Sequence, residues 1–253
     1  MDSGASLPGC IEPLGFKGMG AVRRYEWLPT DVELVTNVSE ADWVMSGLRA
    51  RDEEGIRVGS FMPAVFDAYA RIDQGGGDPE HGWSMRPEML EDLASLLSGS
   101  YPLSHPCWFC LWDGWGTWSG GGTLHRVPGP DMSRKDLKAL REAIRREQQV
   151  EAEREAELRR IPRVRGEHRS YFLVRGPLSA AVPLWEAAGH EPPNLWWPDD
   201  RSWLVSTEIY ANLTYVGGSE RLVGALVGSA ALRAVEVSIS DPLHPSAPGL
   251  GGA

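Results

Sequence analysis

The placement of tryptophan is the feature that most limits how this chain can fold. Of its 11 tryptophans, seven lie in two short clusters. A tryptophan ring buries a large apolar area but its N–H needs a partner, so tryptophan favours recognition sites and cores that meet a surface. Within the first cluster, the run CWFCLWDGW at 107–115 is almost unbroken in apolar character and predicts a buried strand. The clusters are Trp108, Trp112, Trp115, Trp118 and Trp196, Trp197, Trp203.

The C-terminal third shows the most regular alternation of strand-like and helix-like segments. Tyr171–Arg175 predicts a strand, and Gly176-Pro177 turns the chain into a helix over Ser179–Ala188. Two strands, a helix capped by Ser219 and a last strand follow, at Leu195–Trp197, Trp203–Ile209, Ser219–Val227 and Ala234–Ile239. This βαββαβ order predicts an α+β protein with a C-terminal ferredoxin-like unit.

The N-terminal half is predicted to be more helical. Arg57–Ile72 is interpreted as a short strand or loop that enters a helix, with Pro63 in the first turn and Phe66, Tyr69 and Ala70 on one face. Pro87–Leu97 predicts a second helix, with leucines and methionine at helical spacing.

A long charged helix is predicted to be inserted between the two halves. Residues 134–160 carry nine Lys/Arg and seven Asp/Glu, so the helix is expected to be an exposed arm or a connector. The predicted organisation is a flexible lead-in, an N-terminal α/β part, the helical insertion, a C-terminal α+β part and a flexible tail, over residues 1–20, 21–132, 133–162, 163–245 and 246–253.

Composition limits the partners and the compartment. The net charge of −10 leaves no basic footprint for nucleic acid and disfavours docking on anionic membranes. No segment has the roughly 18 apolar residues of a membrane span, and the N-terminus does not read as a signal peptide. Three cysteines form no disulfide framework, so a reducing cytoplasm is expected.

The pair Cys107 and Cys110 has the CxxC spacing of redox and zinc sites. In a strand, positions i and i+3 point to opposite faces, so the two sulfurs are expected to lie apart as small buried hydrophobes. No convincing histidine or second CxxC completes a ligand set. The sequence therefore assigns no metal, no cofactor and no catalytic residue.

The segment WWPDDRSW at 196–203 is the predicted partner-binding site, made of Trp196, Trp197, Asp199, Asp200 and Arg201. Two interpretations stay open. Pro and Asp form turns, and Arg201 can pair with either acid, which would make the segment purely structural. Alternatively, because neighbouring strand residues alternate faces, at least one of the two tryptophans points away from the core and offers a ring beside a charged rim.

Two further segments carry candidate chemistry. Glu208 is expected on a solvated strand face by default, but if it is buried it becomes the best acid/base candidate in the chain. In TYVGGSERL, at 214–222, two glycines precede a helix N-terminus, which can bind an anion. A tight turn with a Ser219 cap explains that segment fully, and the ending of a phosphate-binding P-loop is missing.

Three blocks of the sequence resemble a family of proteins without established activity from high-GC Gram-positive bacteria. They are VGSFMPAVFDAYARI at 58–72, CWFCLWDGWG at 107–116 and PNLWWPDDRSWLVSTEIYANLTYVGGS at 193–219. The resemblance implies a type of host and no mechanism. In the family pattern the position of Cys110 is usually not cysteine, which further disfavours a CxxC site.

The sequence predicts a non-enzymatic, acidic and tryptophan-rich protein that binds another protein or a peptide. Small acidic α+β proteins of this kind often regulate a partner or neutralise a basic toxin, which is an analogy of fold only. The alternative is a hydrolase that uses Asp199, Asp200 or Glu208 in a cleft lined by tryptophan. An exposed aromatic patch would favour binding, and a closed pocket with converging carboxylates would favour catalysis.

Overall fold

One antiparallel sheet organises the fold. A computed structural model describes residues 28–50, 55–74, 85–114, 133–167, 169–208 and 212–243. Within these ranges nine strands run in the spatial order β1-β5-β3-β6-β7-β8-β2-β9, and β4 pairs with β5. The strands are β1 (Glu33–Leu34), β2 (Ala68–Asp73), β3 (Pro106–Trp112), β4 (Val164–Arg165), β5 (Ser170–Pro177), β6 (Leu195–Pro198), β7 (Leu204–Glu208), β8 (Leu213–Gly218) and β9 (Ala234–Val237).

The described part of the chain also forms five α-helices, and their termini follow local sequence signals. Pro87 occupies the first turn of α2, and the side chain of Ser133 accepts a hydrogen bond from the amide of Asp136 at the start of α3. Ser219 caps α5 in the same way, as predicted. The helices are α1 (Asp42–Gly47), α2 (Pro87–Leu97), α3 (Arg134–Leu158), α4 (Ala181–Ala187) and α5 (Glu220–Val227).

Both faces of the sheet are covered, and each face has its own apolar cluster. Helices α2, α4 and α5 pack on one face and form the helix-side cluster, which includes Leu93, Leu184 and Leu226. On the other face, α1 and the segment around Met62 form the α1-side cluster. A sheet that is covered on both sides can bury every residue of its central strands, which explains the continuous apolar runs in the sequence.

The chain is α+β, as predicted, but the ferredoxin-like βαββαβ arrangement is not what the strand pairing shows. An additional strand, β8, follows β7, and strands of the N-terminal half are inserted among those of the C-terminal third. The two neighbours of β3 are β5 and β6, and the two neighbours of β2 are β8 and β9. Each of the helices α4 and α5 therefore connects two strands that are separated by one strand of the N-terminal half.

The helix expected within Arg57–Ile72 is wrong, because residues 68–73 form strand β2. The spacing of Phe66, Tyr69 and Ala70 does not by itself distinguish a helix from a strand, and tertiary contacts decide between the two. Tyr69 lies in the α1-side cluster and Ala70 in the helix-side cluster, which is the alternation of a strand. The described N-terminal part thus contributes three strands and two helices.

Strand β3 pairs with β5 as predicted, with Trp108 opposite Arg175 and Trp112 opposite Tyr171. Helix α3 lies between these strands in the sequence. Most of α3 is exposed, but Leu158 is buried in the helix-side cluster, so the last turn of the helix belongs to the core. Trp115 and Trp118 lie outside the described residues.

Candidate functional site

A pocket of about 340 Å³ lies on the α1-side face of the sheet, where β7 ends and β6 begins. We call it the inner pocket and define it by Phe61, Arg169, Tyr171, Asn194, Ser206 and Glu208, which are among its lining residues. Its volume lies within the roughly 300–1,000 Å³ typical of small-ligand sites. Polar groups from three strand ends and apolar side chains from the α1 side therefore face a common space.

The most polar feature of the inner pocket is the ion pair of Arg169 and Glu208. Two guanidinium nitrogens of Arg169 donate to the two carboxylate oxygens of Glu208 at 2.9 and 2.7 Å. Glu208 is only 4% exposed. Burial lowers the pKa of Arg169, but the hydrogen bonds and the charge of Glu208 outweigh it, so the net pKa shift is upward. Both carboxylate oxygens of Glu208 are therefore occupied by the guanidinium of Arg169.

Glu208 is buried, and burial was the condition under which it was expected to be the best acid/base candidate. Its partner was not predicted, because Arg169 immediately precedes β5 and the strands β3 and β6 lie between β5 and β7, which carries Glu208. No local signal in the sequence marks Arg169 as the partner. In this geometry Glu208 holds the guanidinium of Arg169 in place, and its carboxylate is poorly suited to act as a base.

Asn194 supplies an unpartnered donor in the pocket wall. Its side-chain Oδ1 accepts from the backbone amide of Trp112 at 2.8 Å, and its backbone bonds to Cys110 and Thr207. Its Nδ2 is buried and has no hydrogen-bond partner. A buried donor without a partner costs about 1–3 kcal/mol, so an acceptor that displaces the atoms covering Nδ2 would relieve that cost.

Tyrosine side chains extend this polar region. Burial raises the pKa of Tyr171, which lines the pocket, to about 12. The same cause raises the pKa of Tyr215 to about 12. Tyr215 lies opposite Ser206 in the sheet, and its buried hydroxyl has no hydrogen-bond partner. Its ring stacks on Phe61 at 5.9 Å between centroids, which connects the polar floor to the apolar wall.

The predicted exposed ring in WWPDDRSW is wrong. Trp196 and Trp197 do point to opposite faces of β6, but they are 0% and 1% exposed because both faces are covered. Trp196 stacks with Phe109 and meets Trp203 edge-on, whereas Trp197 packs against Trp43. Neither ring can touch a partner, so the two tryptophans act as core residues.

The charged residues of the same turn are paired within the chain. Asp199 accepts from Arg175 at 2.6 Å, and Asp200 accepts from the Tyr101 hydroxyl. Burial raises the pKa of Asp200, but hydrogen bonds from Tyr101 and Ser202 outweigh it, so the net pKa is lowered. Arg201 has a φ of 58° and lies 3.7 Å from Glu40. These contacts support the structural interpretation of the turn.

Arg201 also borders a second, open depression of about 410 Å³, which we call the outer groove. Its lining includes Trp43, Val65, Phe66 and Arg201, and the guanidinium of Arg201 lies 5.5 Å from the Trp43 ring centroid. The groove and the inner pocket are separate, because they share no lining residue.

Cys107 and Cys110 lie on opposite faces of β3, as predicted, and both are free and buried. Burial, followed by the charges of Asp199 and Asp200, raises the pKa of Cys107 to about 12. Burial also raises the pKa of Cys110. Across the described ranges, no three His, Cys, Asp or Glu side chains converge as metal ligands would.

The two glycines of TYVGGSERL belong to strand β8, and their role is packing. A Cβ at Gly217 would lie 2.4 Å from the Phe66 ring and 2.8 Å from the Met62 methyl group. Glycine fits there because these side chains lie directly against the backbone, and a larger residue would force them to shift. This explanation needs no bound phosphate.

Comparison with family models, curated proteins and solved structures gave no match. The residue roles in the site therefore rest on geometry. None of the described helices has the length and apolar character needed to cross a membrane.

Proposed function

We propose that this chain is a non-enzymatic binding protein and that the inner pocket holds a small ligand. The observation that carries the proposal is the unpartnered Nδ2 of Asn194, a residue that lines this pocket. Enclosed, mostly apolar pockets with a few converging polar groups are typical ligand sites. The Arg169–Glu208 pair lines the same pocket and provides polar groups whose positions are fixed by their mutual hydrogen bonds.

A hydrolase has less support from the arrangement of carboxylates. Glu208 is held at both oxygens by Arg169. Asp199 and Asp200 lie in the turn before β7, and Glu208 lies at the other end of that strand, so the carboxylates do not converge. A general base must reach the proton that it removes, but Glu208 has both oxygens bound to Arg169, and Asp199 and Asp200 do not line the inner pocket.

The proposed function is tested by ligand capture with a blocked pocket. Ser206→Leu places a larger side chain on the pocket floor, and Ser95→Leu makes the same change at an exposed position of α2. Each protein is incubated with a small-molecule extract of high-GC Gram-positive bacteria, and retained compounds are measured by mass spectrometry.

We expect a compound that the wild type and Ser95→Leu enrich at least tenfold over Ser206→Leu. Equal enrichment by all three proteins, or none by any, would refute a ligand site in the pocket. Thermal melting of each variant verifies that the comparison is made between folded proteins, and Ser206→Val provides a smaller block.

A protein or peptide partner remains a second proposal, now placed at the outer groove. The observation that favours it is Val65, which is 63% exposed beside the Trp43 and Phe66 rings and Arg201.

The substitution Val65→Asp should abolish binding of the protein or peptide partner. Val150→Asp should leave it unchanged, because Val150 is equally exposed, at 65%, but lies on α3. Equal capture by both variants would refute the groove as the interface. Regulation of a partner or neutralisation of a basic toxin would use this surface.

A further inference from the structure

We infer that the inner pocket selects a neutral molecule in which a carbonyl group is attached to a flat apolar body. This inference rests on the proposed function and names the class of ligand. Primary carboxamides, lactams and heterocyclic bases with ring carbonyls share this chemistry.

The charges of the pocket wall argue for a neutral ligand. Two arginines, Arg49 and Arg169, and two glutamates, Glu167 and Glu208, line the space, so their formal charges cancel. Arg169 and Glu208 are bound to each other through both carboxylate oxygens. A charged ligand would therefore lose hydration against a wall that carries no net formal charge.

The unpartnered hydrogen-bonding group argues for a carbonyl. Asn194 is 3% exposed, and its Oδ1 is bound to the amide of Trp112, which fixes the orientation of the side-chain amide. The remaining Nδ2 is a donor only, so it requires an acceptor. A ligand carbonyl satisfies Nδ2 without adding a charge, whereas an ammonium group would place donor against donor.

The apolar wall argues for a flat body. Met45, Leu48, Phe61 and Leu195 line the same space, and Phe61 is held in place by its stacking on Tyr215, with 5° between the ring planes. A rigid aromatic wall favours an offset-stacked planar ligand over a branched one. The combination of a flat wall and a single fixed donor defines one orientation for such a ligand.

Three probes of nearly the same shape test the inference: benzamide, benzoate and benzamidine, which are neutral, anionic and cationic at pH 7. Each is titrated into the ¹⁵N-labelled full chain, and amide shifts are followed by NMR. We expect benzamide to cause saturable shifts at the amides of Asn194, Ser206 and Thr207. Its Kd should be at least tenfold lower than those of the two charged probes.

The matched variants are Asn194→Asp and Asn37→Asp. The first keeps the acceptor for the Trp112 amide and replaces the Nδ2 donor with an acceptor. The second makes the same change at the exposed cap of the turn at Val38–Ala41, where Asn37 serves only as acceptor for Ser39. Benzamide affinity should fall at least tenfold in Asn194→Asp and stay unchanged in Asn37→Asp.

Tighter binding of benzoate or benzamidine in the pocket would overturn the neutral carbonyl class while leaving a ligand site in place. Absence of shifts with all three probes, shifts at another surface, or equal affinity in Asn194→Asp would also overturn it. The extract experiment with Ser206→Leu tests the proposed function separately. Failure of the ligand class and failure of the site are therefore distinguishable.

Discussion

The Arg169–Glu208 pair should show strong energetic coupling in a double-mutant cycle of Arg169→Met and Glu208→Leu. Breaking a buried pair by removing one partner costs about 3–5 kcal/mol. The side chain of Glu208 is 3% exposed and that of Arg169 is 19% exposed. Arg169→Met leaves an almost fully dehydrated carboxylate and should lie near the upper end of that range. Glu208→Leu leaves an arginine that water partly reaches, so it should lie near the lower end.

The double variant should be more stable than Arg169→Met alone, because it leaves no uncompensated buried charge. We expect a coupling energy of at least about 3 kcal/mol from urea unfolding of the four proteins, because the two single costs sum to about 8 kcal/mol and the double variant should cost less than about 5 kcal/mol. The control is the pair of Glu155 on α3 and Arg159 directly after its end, which are also 2.7 Å apart but largely exposed, and whose coupling should stay below about 0.5 kcal/mol. Additivity of the two pocket substitutions within about 0.5 kcal/mol would refute the buried-pair account.

Three further predictions test the rest of the structure. Trp196→Ala should cost about 3–5 kcal/mol, or roughly 6–20 °C in Tm, without changing any association, whereas an unchanged Tm would mean that the ring is not core. Cys107 should resist iodoacetamide in the native protein at pH 8, because its thiol pKa is about 12, and rapid alkylation without unfolding would contradict its burial. The contribution of Tyr171 to stability should be complete below pH 10 and be lost between pH 10 and about 12, because its proton leaves the unfolded chain at a lower pH than the folded one; Tyr171→Phe should therefore weaken the fall of stability over this range in urea titrations, and an identical pH dependence would count against the raised pKa.

Elements with a local signal could be predicted from the sequence. The helix Pro87–Leu97, the Ser133 and Ser219 caps and strand β3 each depend on spacing or on a single capping side chain. Strand β8 was missed because Gly217-Gly218 looks like a turn. The reason for glycine is the close packing of Phe66, which no local pattern shows.

The candidate site depends on contacts between distant segments, which is why the sequence predicted it poorly. Glu208 was recognised as unusual, but its partner Arg169 could not be predicted, because β3 and β6 lie between β5 and β7 in the sheet and no local pattern connects the two residues. Asn194 gave no signal at all. The tryptophans were assigned to a surface because the covering of the second sheet face by α1 and the segment around Met62 cannot be predicted from alternation alone.

The most direct test of a ligand site in the inner pocket is a crystal structure of the protein after soaking with the bacterial small-molecule extract. The account predicts density for a bound organic molecule in the inner pocket, with an acceptor atom about 3 Å from Nδ2 of Asn194. Density for ordered water alone at Nδ2, with the extract present, would contradict a ligand site.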